Sequence, residues 1–288
     1  MDTPQRLLIN SMPKSGTHLL TQVVDLLGYQ DFGRHDHAWS KAKDRLGLGR
    51  PVVLAHLRVQ RNWKRRLMTA AGRGGPTLPI DVTLPVQTPI SLVSEWLHAV
   101  PPGHYLSGHV PWTESTAELV RTVGLKHLLM VRDPRDVLVS FVHFVTRPQH
   151  VLSQDFLSLS PEQQLTLAVE GGVGPRSRKP IVGLRQAFAS ILAWRQEPDV
   201  LLVRFETLIG ERGAGSGAAQ RGAVQEICQF VELSPEESLI DQVCLRAFDT
   251  GAATFRRGKI GAWRDELSAS QVTWCTERFA PILDELSR

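Results

Sequence analysis

The sequence predicts an α/β fold in which a central parallel sheet is flanked by helices. Continuous apolar runs of strand length recur along the chain, and between them apolar residues return at helical spacing. The first run also passes through a tight turn of small residues straight into a helix.

That first unit is Arg6 to Gly28. Leu7 to Ile9 reads as a buried strand. After Gly16 the positions Leu19, Leu20, Val23, Val24 and Leu27 form one helical face, and Gly28 stands where the helix stops. A strand, a tight turn and a helix together aim backbone N–H groups and a positive helix end at one point, which favours phosphate. Lys14 adds a full charge there, and Ser15 and Thr17 add hydroxyls. A nucleotide-triphosphate loop needs G-x-x-x-x-G-K-[ST]. Here Lys14 precedes Gly16, and no partner Gly stands before it. Taken alone, the stretch also fits an ordinary strand–helix connection.

The segment Asp31 to His37 brings two histidines around Asp36 without further ligands nearby, and reads as a surface loop rather than a metal site. Pro51 to Leu57 is the second strand candidate. Gln60 to Ala71 is a basic helix or turn whose Arg61, Lys64, Arg65 and Arg66 read as a solvated face, with contact to an acidic acceptor as the alternative. Gly72 to Thr88, rich in Gly, Pro and Thr, reads as a long irregular loop of the lid or binding type. Ile90 to Val100 is helical and stops at Pro101-Pro102-Gly103. Tyr105 to Pro111 is extended and carries His109. Thr116 to Val123 is helical, and Lys126 to Val131 is a strand.

Farther on, Ser160 caps a helix that has Pro161 at its first position. Gly171 to Lys179 reads as a basic loop, Ile181 to Arg195 as an amphipathic helix, and Val200 to Phe205 as a strand. Gly210 to Gly222 is low in complexity and reads as a flexible surface loop. Helices follow at Val224 to Val231, after Ser234 with Glu237 completing a capping box, and after Ser268 with Gln271 in the same role.

Two more anion grips stand in this frame. Arg132 lies at the carboxyl end of the strand Lys126 to Val131, where doubly wound sheets bind ligands. Asp133 can cap the following helix, Pro134 fits its first position, and Ser140 falls about two turns in. A guanidinium fork matches phosphate oxygens. An Arg132–Asp133 ion pair is the plainer alternative, and Asp133 as a magnesium ligand would keep a kinase in play. Near the end, Arg256 and Arg257 precede Gly258, which lets backbone approach an anion beside two cations.

The 288 residues suffice for one large domain, taken as residues 1–288. The net charge of +4 is carried by dispersed basic residues, which suits a small anionic ligand better than a nucleic acid. Cys228, Cys244 and Cys275 have neither metal-ligand nor disulfide spacing and read as reduced thiols. No apolar stretch approaches membrane-spanning length, and the first strand starts too early for a signal peptide. A soluble, cytoplasmic protein with no membrane partner is expected. Oligomeric state is not legible.

Three motifs carry a family resemblance. PKSGTHLL resembles the 5′-phosphosulfate loop of sulfotransferases that use 3′-phosphoadenosine 5′-phosphosulfate (PAPS). VRDPRDVLVS resembles their 3′-phosphate motif, and FRRGKIGAW their C-terminal R-[KR]-G-x-x-G-x-W segment. They occur in the family's order and span almost the whole chain. The resemblance implies a P-loop-like three-layer α/β sandwich. It implies that Lys14 steadies the bridging oxygen and the leaving 5′-phosphate, with Ser15, Gly16, Thr17 and His18 lining the cradle. Arg132, Ser140, Arg256, Arg257 and Gly258 would hold the 3′-phosphate. Gly108-His109-Val110-Pro111 matches the family's T-H-[LV]-P-like segment, which makes His109 the general base, and Phe205 in RFETL matches its adenine-side Y-E-D-L-like segment. Ser107 stands where many members have Lys, and Phe205 where many have Tyr.

The expected reaction is sulfuryl transfer from PAPS to the hydroxyl of a small-molecule acceptor, by in-line displacement, with 3′-phosphoadenosine 5′-phosphate (PAP) as product and no metal. A phenol, a sugar or a natural-product alcohol would serve as acceptor. Its candidate walls are Gly72 to Thr88, Phe141 to His150 and Gly171 to Lys179. The rival readings are a small-molecule kinase using ATP and magnesium, and a non-catalytic nucleotide-binding module.

Overall fold

A computed structural model describes residues 3–32, 42–43, 45–248 and 258–287. Its centre is a parallel sheet of six strands: β1 (Leu7–Ser11), β2 (Gln30–Asp31), β3 (Val53–Leu54), β6 (His104–Gly108), β7 (Lys126–Val131) and β10 (Val200–Arg204). Their order is β10-β7-β1-β6-β2. The outer edge of β6 is shared. β2 pairs with its first residues, Gln30 opposite His104, and β3 with its last, Val53 opposite Ser107.

Strand side chains alternate between faces, and the core divides accordingly. Leu8, Leu106, Leu129 and Val131 join one buried cluster, against the helices Ile90–His98, Glu114–Val123, Pro134–Val145, Leu184–Leu192 and Ala269–Leu286. Leu7, Ile9, Tyr105, Leu128, Met130 and Val203 join the other, against Thr17–Leu26, Gly217–Phe230 and Glu237–Arg246. Three layers result, as expected. Among the described residues, no helix is long and apolar enough to cross a membrane.

Local expectations fail where a turn residue had two meanings. Gly72 to Thr88 is not an irregular loop, because β4 (Thr77–Ile80) and β5 (Val86–Pro89) pair there as an antiparallel hairpin. Asp81, at φ 72°, holds its turn by accepting from the N–H groups of Thr83 and Leu84 at 2.9 and 3.0 Å. Within Gly171 to Lys179, β8 (Gly171–Val173) pairs with β9 (Pro180–Val182) across the remaining turn. Pro51 to Leu57 yields only β3 before a helix starts at His56. The basic stretch is two helices, His56–Arg61 and Trp63–Ala70, broken at Asn62, which caps the second. The low-complexity Gly210 to Gly222 is half helix, because Ser216 caps Gly217–Phe230 by accepting from the N–H of Ala219. The capping box at Ser268 and Gln271 forms, whereas the helix after Ser234 starts at Glu237 with Glu236 as its uncapped first neighbour.

Candidate active site

Four adjacent parallel strands deliver the site residues from their carboxyl ends. β1 leads to Lys14, β6 to His109, β7 to Arg132 and β10 to Phe205.

The turn after β1 is built on two left-handed residues, Lys14 at φ 73° and Gly16 at φ 108°. Gly16 is required twice over, since a Cβ there would stand 2.6 Å from Cδ2 of Phe205 and 2.9 Å from Cε of Met130. Ser15 is buried, and its hydroxyl donates inward to the carbonyls of Met12 and Met130 at 2.7 and 3.1 Å. It therefore ties the turn to β7 instead of offering a hydroxyl to a ligand. The Lys14 ammonium lies 4.6 Å from the centroid of the Phe144 ring. Thr17 opens the helix, with its Oγ1 2.7 Å from Oγ of Ser11, and His18 is exposed one residue on.

His109 is half-buried at the end of β6. Its Nδ1 lies 2.8 Å from the carbonyl oxygen of Ser11 and 3.2 Å from the Ser11 hydroxyl. A carbonyl only accepts, so Nδ1 carries the proton and the lone pair of the neutral ring resides on Nε2. The side chain of Asn10 clamps the next residue, accepting from the N–H of Val110 at 2.8 Å and donating to its carbonyl at 2.9 Å. Thr17, Ser11 and His109 thus form one hydroxyl–imidazole chain from the turn after β1 to the end of β6.

Arg132 is buried, with its guanidinium 4.1 Å over the ring of Phe205. It donates to the carbonyl of Lys259 at 2.7 Å and pairs with Asp136 at 3.3 Å. Burial pulls its pKa below the ordinary arginine value, and the charges of Asp136, Glu206 and Asp133 act against that pull. Its Nε is buried and has no hydrogen-bond partner among the described residues. Asp133 instead pairs with Arg135 at 2.7 Å and caps the helix by accepting from the N–H of Arg135, and among the described residues the ion pair of Arg132 is with Asp136. Ser140 lies on the same helix and is nearly buried.

Phe205 is only 4% exposed. Gly16 and Arg132 cover it, so the ring is a spacer between cradle and guanidinium rather than an open adenine wall. The C-terminal segment is fastened to the same place. Asp136 accepts from the N–H groups of Gly261 and Trp263 at 2.9 and 3.1 Å, and the N–H of Ile260 donates to Gly213 at 3.2 Å. Gly258 is left-handed at φ 56°. Arg256 and Arg257 lie outside the described residues, as do His35, Asp36 and His37.

Sequence reasoning missed Asp136, although an acid in the first turn of the helix that follows Arg132 was a usable signal. It also missed Asn10 and Ser11, which orient His109. The sign there was a pair of polar residues ending an otherwise apolar strand.

A family model described as "Sulfotransferase domain" matches residues 4–286. Among curated proteins none matches. Among solved structures, the chain resembles mouse sulfotransferase SULT7A1 complexed with PAP, with TM-score 0.59, 16% identity, and 96% of this chain and 84% of that one covered. It also resembles retinol dehydratase in a complex with retinol and PAP, with TM-score 0.55, 18% identity, and coverage of 98% and 82%. A second retinol dehydratase complex, with androsterone and inactive cofactor PAP, gives TM-score 0.54, 16% identity, and coverage of 98% and 81%. At these identities the likeness speaks for the fold.

Proposed function

This chain belongs to the sulfotransferase domain family, and from that premise we propose that it moves a sulfuryl group from PAPS to the hydroxyl of a small-molecule acceptor, with His109 as general base. The observation that carries the reading is the hydrogen bond from Nδ1 of His109 to the Ser11 carbonyl, which leaves Nε2 as the proton acceptor beside the Lys14 turn.

The residues fit a twice-phosphorylated donor. The turn through Lys14 and Gly16 holds a cation at the carboxyl end of β1, and Nε of Arg132 is a buried donor with no partner among the described residues. When bound, PAPS supplies an activated sulfuryl group with PAP as its leaving group. Nε2 of His109 takes the acceptor's hydroxyl proton as the oxygen forms its bond to sulfur. Lys14 and the N–H groups of the turn stabilise charge on the bridging oxygen as the sulfur–oxygen bond breaks. Arg132 and Ser140 hold the 3′-phosphate together with Gly258, Arg256 and Arg257. Phe205 acts through Arg132 and Gly16 by spacing them. Residues 1–288 serve as one domain in this scheme.

The Asp133–Arg135 pair speaks against magnesium at that carboxylate and so against the kinase. Calorimetry with PAP in the absence of magnesium, followed by labelled PAPS with a panel of phenols, sugars and alcohols, tests the proposal. PAP binding and a labelled product support it. Binding of magnesium–ATP with no PAP binding assigns a kinase, and PAP binding without product from any acceptor assigns a binding module.

A further inference from the structure

The basic stretch of the sequence has a property that the transfer reaction does not use. From Arg45 to Arg73 the chain carries eight Lys and Arg and no Asp or Glu, against a net charge of +4 for the whole chain. The remainder is therefore net negative, and the positive charge is concentrated on one segment. Seven of the eight cations are exposed.

The same segment exposes apolar side chains. Leu46 is 69% exposed, Leu48 53%, Leu57 41%, Trp63 43% and Leu67 58%. The helix Trp63–Ala70 has no buried residue at all. Trp63 and Leu67 are four apart and share a face. The N–H of Trp63 donates to the carbonyl of Gly47 at 2.9 Å, and the Asn62 side chain donates to that of Gly49 at 2.9 Å, which sets Leu46 and Leu48 beside Trp63. The patch is one surface built from two segments.

We propose that this face docks on an anionic lipid bilayer. Interleaved cations, leucines and a tryptophan match a surface that is charged at the headgroups and apolar just beneath. A second copy of the chain would bring two strongly positive patches together. A nucleic acid or acidic polysaccharide offers nothing to four exposed leucines. The docked helix pair begins at His56, whose Nδ1 lies 2.9 Å from the carbonyl oxygen of Leu84 at the turn of the β4–β5 hairpin.

Flotation with vesicles of phosphatidylcholine and phosphatidylglycerol in equal parts, against phosphatidylcholine alone, tests this independently of any sulfuryl transfer. The intact chain floats with the mixed vesicles only, and added salt releases it. Arg61→Ala with Arg66→Ala lowers the partition coefficient by about 30-fold. Trp63→Ser with Leu67→Ser lowers it at unchanged charge, and Leu46→Ser with Leu48→Ser gives a second reading should the first pair disturb folding, as monitored by the thermal unfolding midpoint. Absence of flotation with the mixed vesicles overturns the proposal, as does equal flotation of all variants. Capture on heparin that ignores the apolar substitutions, without vesicle binding, reassigns the face to a soluble polyanion and likewise overturns it.

Discussion

The carboxylate of Asp136 accepts the N–H of Gly261 at 2.9 Å across 125 residues of sequence. The same side chain pairs with Arg132. One buried acid therefore neutralises the guanidinium and fastens the C-terminal segment beside it. Asp136→Ala should destabilise the fold by roughly 3 kcal/mol, because it leaves Arg132 buried without its closest counter-charge. Urea unfolding reads that loss. Calorimetry with PAP should show weaker binding, and Asp136→Asn, which keeps an acceptor, should lose less of both.

His109→Ala should lower turnover by at least about a hundredfold, a usual general-base contribution, while PAP affinity stays at the wild-type value. Equal losses in turnover and PAP affinity would assign His109 to donor binding instead.

Gly16→Ala should weaken both folding and donor binding, because it strains a residue at φ 108° and drives a Cβ into Phe205. Backbone strain of this kind costs about 1–3 kcal/mol. Adding Phe205→Leu should recover part of the loss by making space, with the strain at φ remaining. Full recovery would mean that sterics alone impose glycine here.

His127, near the start of β7, is wholly buried and edge-on to Trp194 with centroids 4.7 Å apart, and neither ring nitrogen has a partner among the described residues. Burial pushes its pKa down from 6.5 to about 3. Below pH 6.5 the unfolded chain takes up a proton that the folded chain refuses. Stability from this group is therefore level above that pH and falls toward about pH 3, at ~1.4 kcal/mol per pH unit. His150, pushed down by burial to about 4, adds a loss of the same sign. His127→Leu should flatten the acid limb of a urea-unfolding profile and leave stability at pH 7 equal or higher.

What the sequence discloses depends on how local the cause is. β7 and the cap at Ser268 were legible because a continuous apolar run and a Ser-x-x-Gln pair each specify their structure within a few residues. The β4–β5 hairpin was not, because the same Pro and Gly that mark a loop also mark its ends, and Asp81 supplies the turn in glycine's place. The motifs made the positions of Lys14, His109 and Arg132 after strand ends readable. Their partners were less so, because Ser11 meets His109 across 98 residues and Lys259 meets Arg132 across 127. Phe205 was readable as a motif position but not as a buried spacer, since only packing reveals that Gly16 and Arg132 cover it.

The divided edge of β6 separates two kinds of evolutionary freedom. The chain departs from that edge after Asp31, opposite Tyr105, and rejoins it at Val53, opposite Ser107, only two residues farther along β6. An excursion anchored at both ends of so short a step can be lengthened, shortened or exchanged without moving β1, β7 or β10. Insertions or deletions there would leave the strands that lead to Lys14, Arg132 and Phe205 in register.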